Sequence, residues 1–517
     1  MIIQKSVAAD LPLSTISVTE RVFDGLKNRP TETVLIDGTD NRSLTADEFM
    51  TKVKSLAGGL TAQGYGAGKT VALMAPNCIE YCIIFHAVAW AGGTVTTLNP
   101  TYTANEVAHQ LADAGADMLI TVPAFLDTAK DGIRNQRALD IFVIGASDAA
   151  PSLDTLYGAP LEHQVSVDLE RHPVVLPYSS GTTGLPKGVK LSHRNLVMNI
   201  DQTAIGADFK VGETAAAFLP FFHIYGMSVI MNMHLACGGK LVTMPRFDLE
   251  LFLRICQDHK SRRMWIVPPV ALALAKHPMI DDFNLDSLEQ IFSGAAPMGP
   301  ELSDAVAARL NCAMLQGFGM TELSPVSHVT PFSNPKSGSS GLAVPNTQCR
   351  IVDPETGKDL ASGERGEIWV KGPQVMLGYL NNEAATKATL TDDGWLKTGD
   401  IAIIDDDGYL FIVDRLKELI KFKGFQIAPA ELEATLVAHS GVQDAAVIGK
   451  PDEEAGEVPI AFVIPTDPAL TEDELKIYIA ETLAPYKQLH EIRFVTDIPK
   501  SPSGKILRRL LREQATG

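Results

Sequence analysis

No run of residues is long and apolar enough to span a bilayer, and the opening stretch, "MIIQKSVAADLPLS", lacks the apolar core and cleavage site of a secretory leader. The last residues, "REQATG", are not a peroxisomal address of the S-K-L type. Basic residues are in deficit: 44 lysines and arginines face 62 aspartates and glutamates, a formal charge of -18 that argues against unspecific binding to nucleic acid or an anionic membrane surface. Any polyanionic ligand must therefore be held by local groups. Cysteine is scarce and unpaired, since Cys78, Cys82, Cys237, Cys256, Cys312 and Cys349 show neither zinc-ligand nor disulfide-framework spacing. Cys78 and Cys82 lie one helical turn apart and read better as packing thiols than as a redox pair. Internal repeats and low-complexity tracts are missing too. These absences predict a cytoplasmic chain with small-molecule partners, without nucleic acid or membrane.

What is present is α/β texture. At 517 residues the chain exceeds one comfortable core, so more than one domain is expected. Short β-branched runs at 71–74, 94–97 and 118–122 alternate with helical stretches at 79–91 and 104–114, a βαβαβ pattern of parallel strands with right-handed crossovers. Similar alternation returns over 242–317, where "QIFSGAAPMGPEL" reads as strand, tight loop and helix start. After Arg350 the pattern changes to turn-rich β, with "DPETG", "SGERGEIWVKG" and "DDDGYLFIVD" placing Gly or Asp clusters between short strands. The acidic triplet 405–407 suits a solvated hairpin turn better than a metal site. Past "DRLKELIKFKG" the chain reads as compact α+β. The expected architecture is a large N-terminal α/β domain, residues 1–414, of two parallel-rich sheets plus a small β subdomain, followed by a small α+β domain at 415–517.

The segment "YSSGTTGLPKGV" at 178–189 carries small hydroxyls, three glycines and one lysine. Gly181, Gly184 and Gly188 permit positive φ and close backbone approach, so amide N–H groups can point at an anion. Ser179, Ser180, Thr182 and Thr183 add donors, and Lys187 adds charge. That is chemistry for polyphosphate. It is not a Walker loop, because Lys187 follows Pro186 and precedes Gly188. Taken alone, the same composition fits a Gly/Ser/Thr surface loop.

Other segments decide. "YSSGTTGLPKGVKLSH", "QGFGMTE", "WLKTGD", "VDRLKELIKFKGFQIAPAELE" and "PKSPSGKILRR" occur in the order and at the spacing of the adenylate-forming superfamily, and together they resemble it over most of the chain. That superfamily includes acyl-CoA synthetases, luciferases and peptide-synthetase adenylation domains. "LPFFHIYG", "VPPVALALAKHP", "SGAAPMGPEL" and "KELIKFKGFQIAPAELEA" look most like coumarate:CoA ligases.

The resemblance implies a reaction in which a carboxylate joins the α-phosphate of ATP, releasing pyrophosphate, before the acyl group passes to the thiol of CoA. It places Ser179, Ser180, Gly181, Thr182, Thr183, Gly184 and Lys187 on the ATP phosphates, Thr321 at the α-phosphate and Glu322 on Mg²⁺. Asp400 matches the aspartate on the ribose hydroxyls, with Arg415 sharing ribose or phosphate, and Gly294, Ala295, Ala296 and Pro297 with Gln316, Gly317 and Phe318 resemble the segments around adenine. Lys505 matches the adenylation lysine, and Lys417 the pivot of a small domain that rotates between half-reactions. Lys421 and Gln426 would act near AMP, Lys423 belongs to the same basic cluster, and Gly424 would let pantetheine pass. His223 matches a histidine at the carboxylate site. Without the motifs, Lys505 reads as a surface charge at a helix start, Lys417, Lys421 and Lys423 as a solvated face, His223 as a packed ring, and Thr321–Glu322 as a helix cap.

By the same resemblance the acyl pocket is lined by Ile224, Tyr225, Ser228, Pro325 and Val326, with the 294–297 loop and Gly317. Few charges among them suits an aromatic propenoate or a medium-chain fatty acid. Phe292 stands where plant hydroxycinnamate enzymes often carry lysine, which leaves unsubstituted cinnamate open. Amino acids are disfavoured, because no F-D-x-S aspartate accompanies "FFHIYG". A luciferase-like enzyme or a CoA-independent acyl-AMP ligase would share the motifs. A nonenzymatic nucleotide sensor would be expected to have lost some of Lys187, Glu322, Asp400, Lys421 and Lys505, all of which are here.

Overall fold

Four helices begin with reciprocal caps. Ser17, Thr45, Thr103 and Ser192 each accept the N–H of the third helical residue, and their own N–H is taken by the side chain of Glu20, Glu48, Glu106 or Asn195. Two orphan donors are satisfied at each start, which sets where Val18–Leu26, Ala46–Ala62, Ala104–Ala114 and His193–Gly206 begin. The computed structural model describes residues 3–134, 139–179, 186–423, 425–452, 454–502 and 504–516.

The predicted βαβαβ unit is present. Strand Thr70–Met74 pairs in parallel with Thr94–Thr97 on one side and Met118–Thr121 on the other, with Ile79–Trp90 and Ala104–Ala114 as crossovers. Every residue of Ile79–Trp90 except Glu80 is buried, as expected of a helix enclosed on all sides. The sheet continues through Pro173–Ser179 to the antiparallel strand Lys187–Ser192 and the two-residue strand Gly378–Tyr379. The second parallel region divides in two. One sheet holds Thr214–Ala217, Lys240–Thr243, Thr33–Asp37 and Ser43–Thr45. The other runs Arg263–Ile266, Gln290–Ser293 and Ala313–Gly319 in parallel, then turns antiparallel through Val326–Val329 and Leu342–Ala343.

The turn-rich segment forms an antiparallel sheet of Gln4–Lys5, Gln348–Val352, Gly366–Lys371, Leu396–Ile404 and Leu410–Arg415. The acidic triplet closes its last hairpin. Asp405 accepts the N–H groups of Asp407 and Tyr409 at 3.1 and 2.9 Å, and Lys336 reaches both Asp405 and Asp407. No cluster of metal-ligating side chains occurs among the described residues.

Residues from Ile420 onward build two small cores of their own, on the two faces of a sheet formed by Ile420–Phe422, Phe425–Ile427, Val442–Asp452, Gly456–Pro465 and Glu491–Phe494. A third cluster of Ile401, Leu419 and Ala428 joins this part to the antiparallel sheet. Asp414 ties the junction further, accepting the N–H of Ala430 in the first turn of Pro429–Ala438 at 2.9 Å. The six cysteines are free thiols, and burial pushes the thiol of Cys78 up to about 12. Among the described residues no helix is long and apolar enough to cross a membrane.

Gly59 gives a test of this packing. It lies in Ala46–Ala62, where propensity alone favours alanine by about 1 kcal/mol. A Cβ there would meet the carbonyl oxygen of Leu156 at 1.6 Å. Gly59→Ala is therefore expected to destabilise, by about 1–3 kcal/mol from overpacking, in urea unfolding followed by circular dichroism. A gain in stability would contradict the close approach.

Candidate active site

The antiparallel hairpin closed by the acidic turn sets the first part of the site. Its register places Asp400 directly opposite Arg415, and the Arg415 Nε donates to Asp400 Oδ1 at 3.3 Å. Asp400 is only 5 % exposed. Burial pushes its carboxyl up to about 6, against the pull of Arg415 and Lys505.

A second register brings together groups almost 200 residues apart in sequence. Ser179 faces Lys187 across the hairpin that flanks the phosphate segment, and Tyr379 pairs with Val189 on the outer edge. The Lys187 ammonium consequently lies 5.0 Å from the centroid of the Tyr379 ring, while the Tyr379 hydroxyl donates to Glu322 Oε1 at 2.8 Å. Glu322 is buried. Tyr379 therefore links the predicted phosphate lysine to the predicted metal-binding carboxylate, a role no motif marked. Ser180, Gly181, Thr182, Thr183 and Gly184 lie outside the described residues, as does Gly424.

Next to Glu322, on the side of Thr321, lies a cavity of about 70 Å³. His223, Gly294, Ala295, Gly317, Phe318, Thr321 and Lys505 line it, as do Ile224, Tyr225, Pro325 and Val326. Lys505 arrives on the turn before the last helix, where Gly504 passes so close to Val267 that a Cβ would meet its methyl at 3.2 Å. Its ammonium pKa is lowered, by burial first and by Arg415 second, while Asp400 and Glu322 draw it back up.

His223 sits beside Lys505. Its Nδ1 accepts the N–H of Tyr225 at 3.3 Å, leaving the proton on Nε2, and burial with the Lys505 charge lowers its pKa to about 3. It is a neutral imidazole at physiological pH. Gln316 staples rather than lines: its amide bonds the N–H and carbonyl of Met298, both at 3.0 Å, and so fixes the 294–298 loop. Within that loop Ala295 holds φ at 72°, and Gly294 packs against the Tyr225 ring, which a Cβ would meet at 3.0 Å. Ala296 and Pro297 are not on the cavity wall.

Ser228 is buried and does not line this cavity, whereas Val229 does. Residues Tyr225–Asn232 form a π-helix, whose extra residue per turn rotates the side chains relative to an α-helical expectation. Trp265, Thr203 and Ala207 also line the cavity and were not marked in the sequence. Trp265 and Phe292 stack at 4.9 Å between centroids with an interplanar angle of 27°. Lys421 and Gln426 face each other across a hairpin that is exposed and away from the cavity wall. Lys423, at its tip, holds φ at 46°. Lys417 is exposed between the two strands that bracket the junction.

A family model described as AMP-binding enzyme matches residues 22–380, and one described as AMP-binding enzyme C-terminal domain matches 431–505. The chain belongs to the AMP-binding, adenylate-forming enzymes. It is 42% identical to 4-coumarate–CoA ligase 5 of Oryza sativa subsp. japonica, covering 95% of this chain and 93% of that one. It is also 42% identical to 4-coumarate–CoA ligase of Pinus taeda, covering 98% and 96%. A crystal structure of an anthranilate CoA ligase in complex with anthranoyl-AMP superposes with a TM-score of 0.91 at 26% identity, covering 98% of each chain. The adenylate-forming enzyme is thus an acid–thiol ligase of the 4-coumarate–CoA ligase-like family, with ATP and a carboxylic acid as the family's substrates.

The titrating groups predict its pH dependence. Asp400 takes up a proton as pH falls through about 6 and loses its charge, whereas His223, already neutral, gains none until about 3. The kcat/KM for ATP is expected to decline below pH of about 6 in a single-proton limb that Asp400→Asn removes. A limb that survives in Asp400→Asn would assign it to another group.

Proposed function

We propose that this enzyme joins a coumarate- or cinnamate-type propenoic acid to CoA through an acyl-adenylate. The observation that carries the reading is Lys505, whose ammonium stands in the wall of an apolar cavity with Thr321 and His223, in the field of Asp400 and Glu322. The stacked Trp265 and Phe292 rings favour a flat aromatic tail over a flexible chain.

In the first half-reaction a carboxylate oxygen attacks the α-phosphorus of ATP, a C–O–P linkage forms, and the bond to pyrophosphate breaks. Two anions must approach, so positioning and neutralisation matter more than a nucleophile on the enzyme. Lys505 and Thr321 would meet the carboxylate and α-phosphate, Lys187 the outer phosphates, and Asp400 with Arg415 the ribose. Glu322, a buried carboxylate with one oxygen on Tyr379, would hold Mg²⁺; a single carboxylate with phosphate and water oxygens suits that cation, which supplies charge neutralisation when bound. Neutral His223 would hydrogen-bond the substrate carboxylate from Nε2 without acting as a base.

In the second half-reaction the CoA sulfur attacks the acyl carbon and AMP departs with the bonding pair. The described arrangement keeps Lys421 and Gln426 outside the cavity, and supports a turn of the C-terminal part, hinged near Lys417 with a boundary at 414/415, that would bring their hairpin to AMP. The six free thiols support a reducing, cytoplasmic setting.

The test is pyrophosphate release by purified enzyme with ATP and Mg²⁺, comparing 4-coumarate, cinnamate and octanoate with and without CoA. Aromatic acids are expected to win, and Lys505→Ala is expected to lower the adenylation rate at least 100-fold, on the order of an oxyanion donor, while leaving thioester formation from supplied acyl-AMP much less affected. Preference for octanoate would overturn the aromatic assignment. Unchanged pyrophosphate release in Lys505→Ala would remove that lysine from adenylation.

A further inference from the structure

Between Met376 and Asn381 the chain runs along the outer edge of the strand that carries Lys187. Tyr379 stands opposite Val189, with the N–H of Leu377 on the carbonyl of Lys190 at 3.0 Å and that of Leu380 on the carbonyl of Gly188 at 2.7 Å. In a pleated strand Lys187 and Val189 share a face, so Lys187 is the diagonal neighbour of Tyr379, at a spacing that a long side chain and an aromatic ring can bridge. Strand pairing thereby places the Lys187 ammonium over the Tyr379 ring, 5.0 Å from its centroid.

The same segment holds Glu322 twice. The N–H of Met376 donates to the Glu322 carbonyl at 2.9 Å, and the Tyr379 hydroxyl donates to carboxylate Oε1 at 2.8 Å. An ionised carboxylate only accepts and a phenol donates, so this bond occupies one oxygen and leaves Oε2 to a further ligand. Tyr379 is itself fixed. It is buried, and its N–H donates to the Thr386 hydroxyl at 2.9 Å. Two residues on, Asn381 donates to the backbone carbonyl of Asp113 at 2.9 Å, and the Asp113 carboxylate accepts the hydroxyl of Tyr178, at the root of the phosphate segment, at 2.7 Å. A phenylalanine would fill the space of Tyr379 without the bond to Glu322, so ring and hydroxyl can be tested apart.

We propose that Tyr379 is a positioning residue that couples cation binding to polyphosphate binding, its hydroxyl orienting Glu322 for Mg²⁺ and its ring seating Lys187 for the outer phosphates of ATP. The inference rests on the assignment of Glu322 and Lys187 to those two ligands. A carboxylate free to turn loses affinity for a cation, and removing the hydrogen-bond partner of a metal ligand commonly weakens binding by about 10- to 100-fold. A lysine without a seat must be ordered when ATP arrives, at a cost in side-chain entropy. Both effects pass through one side chain, so the preference for ATP with its cation over ATP alone depends on Tyr379 as well as on Glu322.

The test is ATP binding by isothermal titration calorimetry, without acid or CoA, to the full-length enzyme and to its Tyr379→Phe, Tyr379→Leu and Glu322→Gln variants and the double variant Tyr379→Phe with Glu322→Gln, each in Mg²⁺ and in EDTA. The wild type is expected to bind ATP more tightly in Mg²⁺. Tyr379→Phe, which keeps the ring, should lower that Mg²⁺ preference by about tenfold while leaving the Kd for ATP in EDTA within about twofold of the wild type. Tyr379→Leu should in addition weaken ATP in EDTA by about threefold, the size of a partly exposed cation–ring contact. In the Glu322→Gln background Tyr379→Phe should change nothing further, because its effect passes through that carboxylate. A Mg²⁺ preference unchanged in Tyr379→Phe would overturn the proposal, and so would an equal loss from Tyr379→Phe with and without Glu322, which marks a general loosening of the fold. If Glu322→Gln keeps the wild-type preference, the cation assignment fails and the proposal falls with it. Loss of the preference in Glu322→Gln but not in Tyr379→Phe overturns the role of Tyr379 and leaves that assignment standing.

Discussion

The rest of the site depends on one ammonium group half-buried in a cavity wall. Lys505 enters a cavity whose nearest walls are a neutral imidazole, a threonine and glycine-rich backbone, and its charge survives there because Asp400 and Glu322 face it. A buried charge with one partner removed is costly. The cluster of Lys505, Asp400, Arg415 and Glu322 therefore has to be supplied as a set, and its members come from three separate pieces of chain. The antiparallel hairpin brings Asp400 and Arg415, the turn after Ala313–Gly319 brings Glu322, and the C-terminal part brings the lysine.

That dependence explains why the junction is polar and many-stranded. Arg508 reaches Glu418 at 2.5 Å and both oxygens of Glu433 at 2.7 Å, joining the last helix to the junction and to helix Pro429–Ala438. From the other side, Lys276 donates to the carbonyl of Val442 at 3.1 Å. These contacts are charged or backbone-directed, and among the described residues the shared apolar cluster is Ile401, Leu419 and Ala428 with Val413 and Leu416. An interface of this kind holds one arrangement without the large apolar burial that would forbid another.

The cavity beside Lys505 follows a different logic. The π-helix Tyr225–Asn232 and the stacked Trp265 and Phe292 rings contribute to its wall, and the 294–298 loop beside it is held by the Gln316 amide, which satisfies both ends of its hydrogen-bonding capacity on Met298. All three are packing devices.

Much of this was readable from the chain. Alternation of β-branched runs with helical stretches located the parallel sheets because strand and helix periods are local properties, and the Gly–Ser–Thr–Lys segment, "MTE", "TGD" and "PSGK" marked the charged groups because their chemistry needs those residue types in sequence. Asp405 to Gly408 was legible as a turn for the same local reason. What the sequence could not determine was which groups meet. Tyr379 joins Lys187 to Glu322 only through pairing between strands far apart in the chain, and Val229 rather than Ser228 lines the cavity where the chain forms a π-helix. Motifs carry local chemistry, so sequence determined the reaction class. Strand register and buried hydrogen-bond satisfaction exist only once distant segments pack, so the tertiary structure decided the shape and polarity of the cavity beside Lys505.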